Sequence, residues 1–226
     1  PTDLPLFGGE RGPGGPVTFM ILDTYIKRYP GEYHAQTAVE AALAIREDLL
    51  KKEGVDALKG ITGIEIGSYD VAIEIIGRDP EKWCPRTRET ADHSFPYCVA
   101  VALLDGKVTL HSFDSKRLTD PALHEMMAKL QVVPQPESVG RYPQAMPTRI
   151  TVRTKTGNAY VQQVDYPLGH PKNPMSDEQV EDKFRVLARG RLDQRRINKV
   201  VETVWKLEQL RDIGVLMPLL KTARRM

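Results

Sequence analysis

The sequence predicts an α+β protein in which a small α+β domain is followed by helices. Three observations lead to this fold class. Capping signals frame a helical pattern between Thr37 and Gly54, β-branched residues with a period of two begin at Ile61, and helical spacing returns after Ser176. The predicted boundaries are an arm or linker over 1–16, an α+β domain over 17–165, and a connecting loop with C-terminal helices over 166–226.

The N-terminal region is predicted to be an irregular arm followed by helical segments. Residues 1–16 are rich in glycine and proline, which cost conformational entropy and remove backbone donors. The apolar stretch after Val17 is predicted to become helical as far as Pro30. Thr37 has the spacing of a capping box with a glutamate three residues later, and Gly54 stands where a C-cap belongs, so a helix is predicted between them.

Strand patterns and one apolar helix occupy the middle of the chain. From Ile61 apolar residues alternate with polar or small ones, and the run Val71–Ile76 is dense in β-branched residues, so both segments are predicted to be strands. A proline-rich loop then leads to an apolar helix over 97–104. Lys107–Phe113 is predicted to be a short strand or an extended loop.

Local signals also predict a hairpin and three more helices. An aspartate followed by proline marks a helix start, a Thr-Gly-Asn turn joins two β-rich runs, and a serine followed by acidic residues opens a further helix. Two or three C-terminal helices make a poor independent core, so we expect them to need a partner surface. The elements are a helix from Asp120 to about Leu130, strands Thr148–Thr154 and Ala159–Asp165, a helix from Ser176, and a helix over 197–210.

Composition narrows the functional classes. With 41% hydrophobic and 27% charged residues and a formal net charge of +2, the chain is of ordinary globular composition and favours neither nucleic acid nor an acidic membrane as partner. Its two cysteines, Cys84 and Cys98, are too few to ligate an iron–sulfur cluster. The longest apolar run, 97–104, is too short to span a bilayer. We expect a cytoplasmic protein with reduced thiols and with no metal or other cofactor.

The densest group of reactive side chains directly precedes the predicted apolar helix. Arginine forks suit carboxylate ligands, an Asp–His pair and a tyrosine can move protons, and a helix N-terminus attracts anions. The alternative is that the aspartate and serine of this group only cap the helix, with the histidine as an ordinary boundary residue. The group consists of Arg86, Arg88, Asp92, His93, Ser94 and Tyr97.

Two further groups each contain a histidine. Lys27, Glu32 and His34 lie in a stretch that offers cations for a polyanion and an acid/base pair, or that forms only a polar turn between helices. His170 lies in a loop with three prolines, which either presents it together with Lys172 to an anion or serves as a rigid connection between domains.

Three motifs together resemble the MmgE/PrpD family. They are Pro-Gly-Glu-Tyr-His-Ala-Gln-Thr-Ala from Pro30, Glu-Thr-Ala-Asp-His-Ser-Phe-Pro-Tyr-Cys-Val-Ala-Val-Ala-Leu-Leu-Asp-Gly from Glu89, and Tyr-Pro-Leu-Gly-His-Pro-Lys-Asn-Pro-Met from Tyr166. The motifs occur in family order, and the resemblance covers about residues 19–210. The family includes 2-methylcitrate dehydratase, cis-aconitate decarboxylase and iminodisuccinate epimerase.

The resemblance implies that the chain corresponds to the C-terminal half of a usual family member. Such members have a large all-helical domain, built from the N-terminal half and the last helices, and a smaller α+β domain that closes over the active site. By resemblance, residues 17–165 are the lid, and 176–226 are helices of the helical domain. Because the chain begins with Pro1 rather than methionine, we expect the N-terminal helical half as a separate chain or missing segment. A homodimer is also expected.

The resemblance also implies roles for the candidate residues. One cleft-lining segment of the family matches Lys27 and the turn after it, and a second matches His93 and Tyr97. A phenol in that place is expected to hydrogen-bond substrate or pass a proton. The expected catalytic residues are Tyr97, His93, His34 and Glu32, and the expected substrate-binding residues are Lys27, Arg88, Asp92, Ser94 and His170.

The expected activity is metal-free dehydration of a 2-methylcitrate-like tricarboxylate, with the chain inactive unless the N-terminal helical half is present. The reaction needs a base for a carbon-bound proton, an acid for the departing hydroxide, and cations for the carboxylates. The family's decarboxylase branch has histidine where this sequence has Glu32, which favours the dehydratase pattern. Two alternatives stay open: decarboxylation or epimerisation on the same scaffold, and a non-catalytic module that binds an anion or a partner.

Overall fold

The computed structural model describes residues 20–222, so the predicted arm over 1–16 lies outside the described residues. The chain divides into two compact units between Pro174 and Met175. The loop 166–174 therefore belongs with the first unit, whereas the sequence groups it with the C-terminal helices. The identification of the two units with a lid and part of a helical domain stays a prediction.

The first unit combines short helices with one sheet. Its helices are α1 Gln36–Glu53, α2 Asp70–Ile76, α3 Pro80–Trp83, α4 Arg88–Asp92, α5 Phe95–Asp105, α6 Ser115–Leu118 and α7 Pro121–Met127. Its strands are β1 Ile61–Ser68, β2 Leu130–Pro134, β3 Thr148–Thr154 and β4 Ala159–Val164. Short 3-10 helices cover Met20–Asp23, Tyr33–Ala35, Val55–Gly60, Leu110–Phe113 and Pro136–Ser138.

The sheet has the strand order β2-β1-β3-β4. β1 pairs in parallel with β2 and antiparallel with β3, and β3 pairs antiparallel with β4. The helix α1 contacts α5, β3 and β4, and α5 also contacts α7. Because α5 is apolar on every side, it is buried along nearly its whole length and forms the centre of the core. The α+β fold class is confirmed.

Several predicted elements are confirmed with their caps. The apolar helix ends at Gly106 in a left-handed conformation, and Asp120 caps α7 by accepting a hydrogen bond from the Ala122 backbone. The predicted hairpin forms as β3 and β4. In the second unit Ser176 forms the capping box that opens its first helix.

Several predictions about local structure are wrong. Leu110–Phe113 is a 3-10 helix rather than a strand or extended loop, and the helix predicted over 197–210 ends at Val204. Val71–Ile76 lies within helix α2, because Ala72, Ile73 and Ile76 bury one face at helical spacing and tertiary packing overrides their β-propensity. Thr37 lies inside α1 rather than capping it, and its hydroxyl donates to Thr148. In the segment before Pro30, a 3-10 helix covers only Met20–Asp23, and residues 24–30 are not helical. The helix from Asp120 ends at Met127, and the chain then enters strand β2.

The second unit consists of helices joined by short turns. Its helices are α8 Asp177–Ala188, α9 Gln194–Val204 and α10 Leu216–Leu220, with 3-10 turns at Leu207–Gln209 and Ile213–Val215. Among the described side chains of this unit, the buried apolar residues are Ala188, Ile197 and Val200. Across residues 20–222, no helix has the length and apolar character needed to cross a membrane.

Candidate active site

The first candidate histidine lies in a tight turn before α1. Glu32 caps the 3-10 helix Tyr33–Ala35, and its carboxylate accepts a hydrogen bond from the His34 backbone at 2.5 Å. The side chain of Gln36 donates to the carbonyls of Tyr29 and Gly31, which fixes the preceding residues of the turn. The turn therefore holds Glu32 and His34 in a defined arrangement at the start of a buried helix.

His34 and Tyr69 form a buried imidazole–phenol pair. The Nδ1 atom of His34 shares a hydrogen bond with the Tyr69 hydroxyl, and the two side chains are 5% and 2% exposed. Burial lowers the pKa of His34, although the charge of Glu32 opposes this effect. Burial raises the pKa of Tyr69 well above its ordinary value. At neutral pH the pair therefore combines a neutral imidazole with a protonated phenol.

Three more tyrosines extend the aromatic contacts of this pair. The ring of Tyr142 stacks on Tyr69 with 5.2 Å between centroids, and Tyr33 packs edge-on to His34 at 5.4 Å. Tyr25 then packs edge-on to Tyr33 at 5.0 Å. We call these residues, His34, Tyr69, Tyr142, Tyr33 and Tyr25, the His–Tyr cluster.

The His–Tyr cluster continues to the second candidate histidine. The ring of His170 lies 4.7 Å from Tyr25 and 4.9 Å from Tyr166, measured between centroids. Its Nδ1 atom accepts a hydrogen bond from the Lys172 backbone, which is compatible only with an unprotonated Nδ1. Burial, helped by the charge of Lys172, lowers the pKa of His170. The fold thus brings together the groups of His34 and His170, which are far apart in the chain.

A cation flanks the turn that carries His34. The ammonium of Lys27 donates to the Gly31 carbonyl at 3.1 Å, and the Lys27 residue is exposed. A positive charge is therefore held at the surface two residues from Tyr25 and close to the Glu32 turn. Such a charge is suited to a carboxylate ligand.

The group of side chains that precedes α5 meets the turn of Glu32 and His34 through the backbone. The Glu32 amide donates to the Asp92 carbonyl at 2.8 Å. His93 forms a hydrogen bond through Nδ1 to the Asp92 carboxylate, whereas Arg88 is exposed at the start of α4. Ser94 is buried and caps α5 by accepting a hydrogen bond from the Tyr97 backbone. The capping alternative thus describes the geometry of Ser94, and Asp92 uses its carboxylate to hold His93.

Tyr97 lies in the core of the first unit. It is 0% exposed, its hydroxyl donates to the Ser112 carbonyl at 2.6 Å, and its ring stacks near Phe113. Burial raises the pKa of this phenol. In this arrangement Tyr97 stabilises the contact between α5 and the Leu110–Phe113 turn, and its catalytic role stays a prediction.

Sequence reasoning did not single out Tyr25, Tyr33, Tyr69 or Tyr142 as site residues. For Tyr69 a signal was available, because it directly follows β1, a strand that pairs in parallel with β2, and functional residues concentrate beyond the carboxyl ends of such strands. For Tyr142 no local signal exists, since only the tertiary fold brings it to His34.

The described side chains form no cluster of metal-ligating residues. Among residues 20–222, no group of three or more His, Cys, Asp or Glu side chains has the arrangement to hold a metal ion. The groups that the His–Tyr cluster supplies are an imidazole, phenols and a nearby carboxylate. These groups bind and transfer protons.

The fold and this cluster define an α+β domain equipped with acid/base side chains. The chain belongs to the MmgE/PrpD family, since the family model described as MmgE/PrpD C-terminal domain matches residues 29–207. This match confirms the family resemblance and the correspondence to a C-terminal part of the family.

The relatives that the chain matches are named for two different activities, decarboxylation and dehydration. Cis-aconitate decarboxylase of Mus musculus is 29% identical over 200 residues, which cover 88% of this chain and 40% of the relative. 2-Methylcitrate dehydratase of Cupriavidus necator is 30% identical over 166 residues, which cover 69% of this chain and 32% of the relative. 2-Methylcitrate dehydratase of Escherichia coli K12 is 26% identical over 180 residues, covering 77% and 36%. The chain spans at most 40% of the length of these curated relatives.

Proposed function

We propose that the chain is part of a hydro-lyase that removes water from a 2-methylcitrate-like tricarboxylate by acid/base catalysis. The observation that carries this proposal is the buried pair of His34 and Tyr69, set beside Glu32 in a member of the MmgE/PrpD family. The dehydratases among the relatives support the choice of reaction.

The protonation states of the pair suit the two proton transfers of a dehydration. A base must remove a proton from the carbon next to a carboxylate, and an acid must protonate the hydroxyl group as its bond to carbon breaks. The lowered pKa of His34 keeps its imidazole free to accept the first proton. The raised pKa of Tyr69 keeps its phenol protonated and able to donate. Water then leaves and a carbon–carbon double bond forms.

Cations are needed to hold the substrate carboxylates. We assign Lys27 to this task, because its ammonium is fixed at the turn that carries Glu32 and His34. Arg88, Asp92, Ser94 and His170 stay predictions as substrate-binding residues, and His93 and Glu32 stay predictions as catalytic residues.

A second surface is proposed to complete the site. Two surface depressions of the first unit, of about 350 Å³ and about 620 Å³, are lined by no member of the His–Tyr cluster. Neither depression encloses the cluster, and small-molecule sites bury most of their ligand. We propose that an N-terminal helical half closes the site and that the protein acts as a homodimer.

Decarboxylation is the second candidate, and the relatives named cis-aconitate decarboxylase favour it. In that reaction the carbon–carbon bond to a carboxylate breaks, carbon dioxide leaves, and a protonated phenol or imidazole supplies a proton to the carbanion. The same pair of side chains would serve, so the two reactions differ in substrate and product rather than in the groups required.

The test is product analysis with the purified full-length product of the gene. Incubation with 2-methylcitrate is expected to yield an unsaturated acid with loss of water, and cis-aconitate is expected to release no carbon dioxide. Carbon dioxide from cis-aconitate would transfer the assignment to decarboxylation. No turnover of 2-methylcitrate, citrate or cis-aconitate, with retained binding of an anion, would favour the non-catalytic alternative.

Variants of the pair test the assigned roles. His34→Gln and Tyr69→Phe are each expected to lower kcat by about 100-fold or more, since a positioned acid or base contributes roughly that much. His111→Gln is a matched control, because His111 is exposed on another part of the unit. Full activity of His34→Gln would remove the imidazole from the mechanism.

A further inference from the structure

We propose that Tyr142 is a positioning residue that holds the rings of His34 and Tyr69 in their mutual orientation for proton transfer. This inference rests on the proposed function, since it assigns Tyr142 to the same site. Tyr142 does not belong to any of the three sequence motifs, and it reaches the pair only through the fold.

The argument starts from the contacts of the Tyr142 ring. It lies nearly parallel to the Tyr69 ring, at 5.2 Å between centroids and 11° between planes. It also lies 5.4 Å from the His34 imidazole, at 59°. One ring thus contacts both members of the hydrogen-bonded pair, and aromatic contacts at these distances stabilise a defined orientation.

The backbone around Tyr142 is anchored on both sides. The neighbouring Arg141 guanidinium forms an ion pair with the Asp165 carboxylate at 2.5 Å. The Ala145 amide donates to the Arg141 carbonyl at 2.8 Å, and the Met146 amide donates to the Asp165 carbonyl at 2.9 Å. Asp165 therefore binds the Tyr142 segment twice, through its side chain and its backbone. The ring is held by a fixed segment and not by a free loop.

The remaining faces of the imidazole are covered by other elements. Tyr33 packs edge-on from the turn before α1, Tyr69 from the end of β1, and the Glu32 carboxylate binds the His34 backbone. The segment between β2 and β3 contributes the Tyr142 ring to these contacts with the imidazole. Its removal would open one side of the ring, and the imidazole would then exchange between orientations and tautomers.

The test is nitrogen-15 NMR of the histidine side chains in the full chain, with His34 assigned by the signal that disappears in His34→Gln. The native protein is expected to show a single neutral tautomer for His34 near neutral pH. Tyr142→Ala and Tyr142→Leu are expected to shift its nitrogen resonances toward averaged values, and Tyr142→Phe to restore the native pattern because it keeps the ring. Both variants remove the ring, so the test can be completed if either of them folds.

Tyr160→Leu is the matched control for the loss of a tyrosine. Tyr160 is buried in the same unit on β4, and its hydroxyl donates to Glu53 rather than to the His–Tyr cluster. It is expected to leave the His34 resonances unchanged. The proposal is overturned if a folded Tyr142→Ala or Tyr142→Leu keeps the native His34 pattern, or if Tyr160→Leu perturbs it equally.

Kinetics separate this inference from the proposed function. In the active protein, Tyr142→Ala is expected to lower kcat by roughly tenfold to a hundredfold with little change in KM, since misplaced catalytic groups lose rate rather than binding. If the native protein turns over no tested acid, the proposed function fails, and the NMR measurement still decides whether Tyr142 orients His34.

Discussion

The imidazole of His34 is neutral near physiological pH because the protein buries it. Water stabilises the charged form of an imidazole, and a side chain that is 5% exposed loses most of that stabilisation. The carboxylate of Glu32 acts in the opposite direction but is the smaller effect. His170 follows the same rule in its loop. Two of the five histidines thus have lowered pKa values and contact one aromatic cluster.

This burial makes stability depend on pH in a defined direction. The unfolded chain, in which histidine has its ordinary pKa of 6.5, takes up a proton that folded His34 resists. The stabilising contribution is therefore complete above pH 6.5 and is lost as the pH falls below that value toward the lowered pKa of the folded state.

Urea unfolding of the native chain between about pH 8 and pH 5 is expected to show this loss of stability. His34→Gln is expected to weaken the pH dependence, because glutamine does not titrate. His111→Gln is expected to keep the native slope, since His111 is exposed. Equal slopes in native protein and His34→Gln would contradict the proposed origin of the effect.

The buried hydrogen bond of the Tyr97 hydroxyl is expected to stabilise the folded protein. Tyr97→Phe removes the hydroxyl that donates to the Ser112 carbonyl and leaves a buried acceptor without its partner. A loss of about 1 to 3 kcal/mol in the free energy of unfolding is expected. Urea denaturation measures it. A large loss of kcat with unchanged stability would instead support the catalytic role predicted from the sequence.

Residues near motifs were easier to predict than residues that meet through the fold. His34, Glu32 and His170 each lie in a dense local pattern, so the sequence alone marks them as candidates. The four tyrosines of the cluster become candidates only through ring contacts that the fold creates within the first unit. They are Tyr25, Tyr33, Tyr69 and Tyr142. Isolated tyrosines are common packing residues, and no spacing rule identifies which of them converge.

At the scale of elements, the loop over 166–174 is fixed by contacts that leave no room for a side chain. Gly169 has a φ of +96°, its carbonyl accepts a hydrogen bond from the Ile26 amide, and an added Cβ would lie 1.9 Å from the Ile26 carbonyl oxygen. The Leu168 amide donates to the Glu40 carboxylate on α1. These contacts hold His170 beside Tyr25.

Gly169→Ala is therefore expected to destabilise the protein and displace this loop. The left-handed backbone alone costs roughly 1–2 kcal/mol for alanine, and the clash with Ile26 adds to it. Gly157→Ala is the matched control, because Gly157 has a φ of +86° but no neighbouring atom within 4 Å of an added Cβ. Urea unfolding of the two variants compares the effects.

Equal losses of stability in Gly169→Ala and Gly157→Ala would contradict a role for the close contact with Ile26. In Gly169→Ala, NMR is also expected to show changed ring resonances for Tyr25 and His170. Gly157→Ala is expected to leave both rings unchanged, since Gly157 lies in the turn between β3 and β4.

Elements were predicted well where the local signal agreed with the tertiary packing. Strands β3 and β4 have a turn between them and alternate in burial, and α5 is apolar on every side. The sequence did not predict α2 as a helix because its β-branched residues favour a strand, whereas packing of Ala72 and Ile76 decides the helix. Strand β2 is short, and its main determinant is parallel pairing with β1, which is a non-local contact.

At the scale of the whole molecule, the hydrophobic core belongs to the first unit. The buried cluster and the residues packed against it all lie between Tyr29 and Val164. In the second unit, Val204, Trp205, Leu207 and Met217 are exposed in the described chain. Buried apolar area provides most of the stability of a domain, so the two units are expected to differ strongly in their ability to fold alone.

A polypeptide that ends at Pro174 is therefore expected to fold, with one cooperative urea transition and the His34 resonances of the full chain. The segment 175–226 is expected to show little helix by circular dichroism when isolated, because short helices without a buried face are marginal in water. Loss of cooperative unfolding in the first fragment would mean that the core described by Tyr29–Val164 depends on the second unit. Since the ring contacts and the hydrogen bond of the His–Tyr cluster given above join residues of the first unit, that result would also make the acid/base pair dependent on residues outside it.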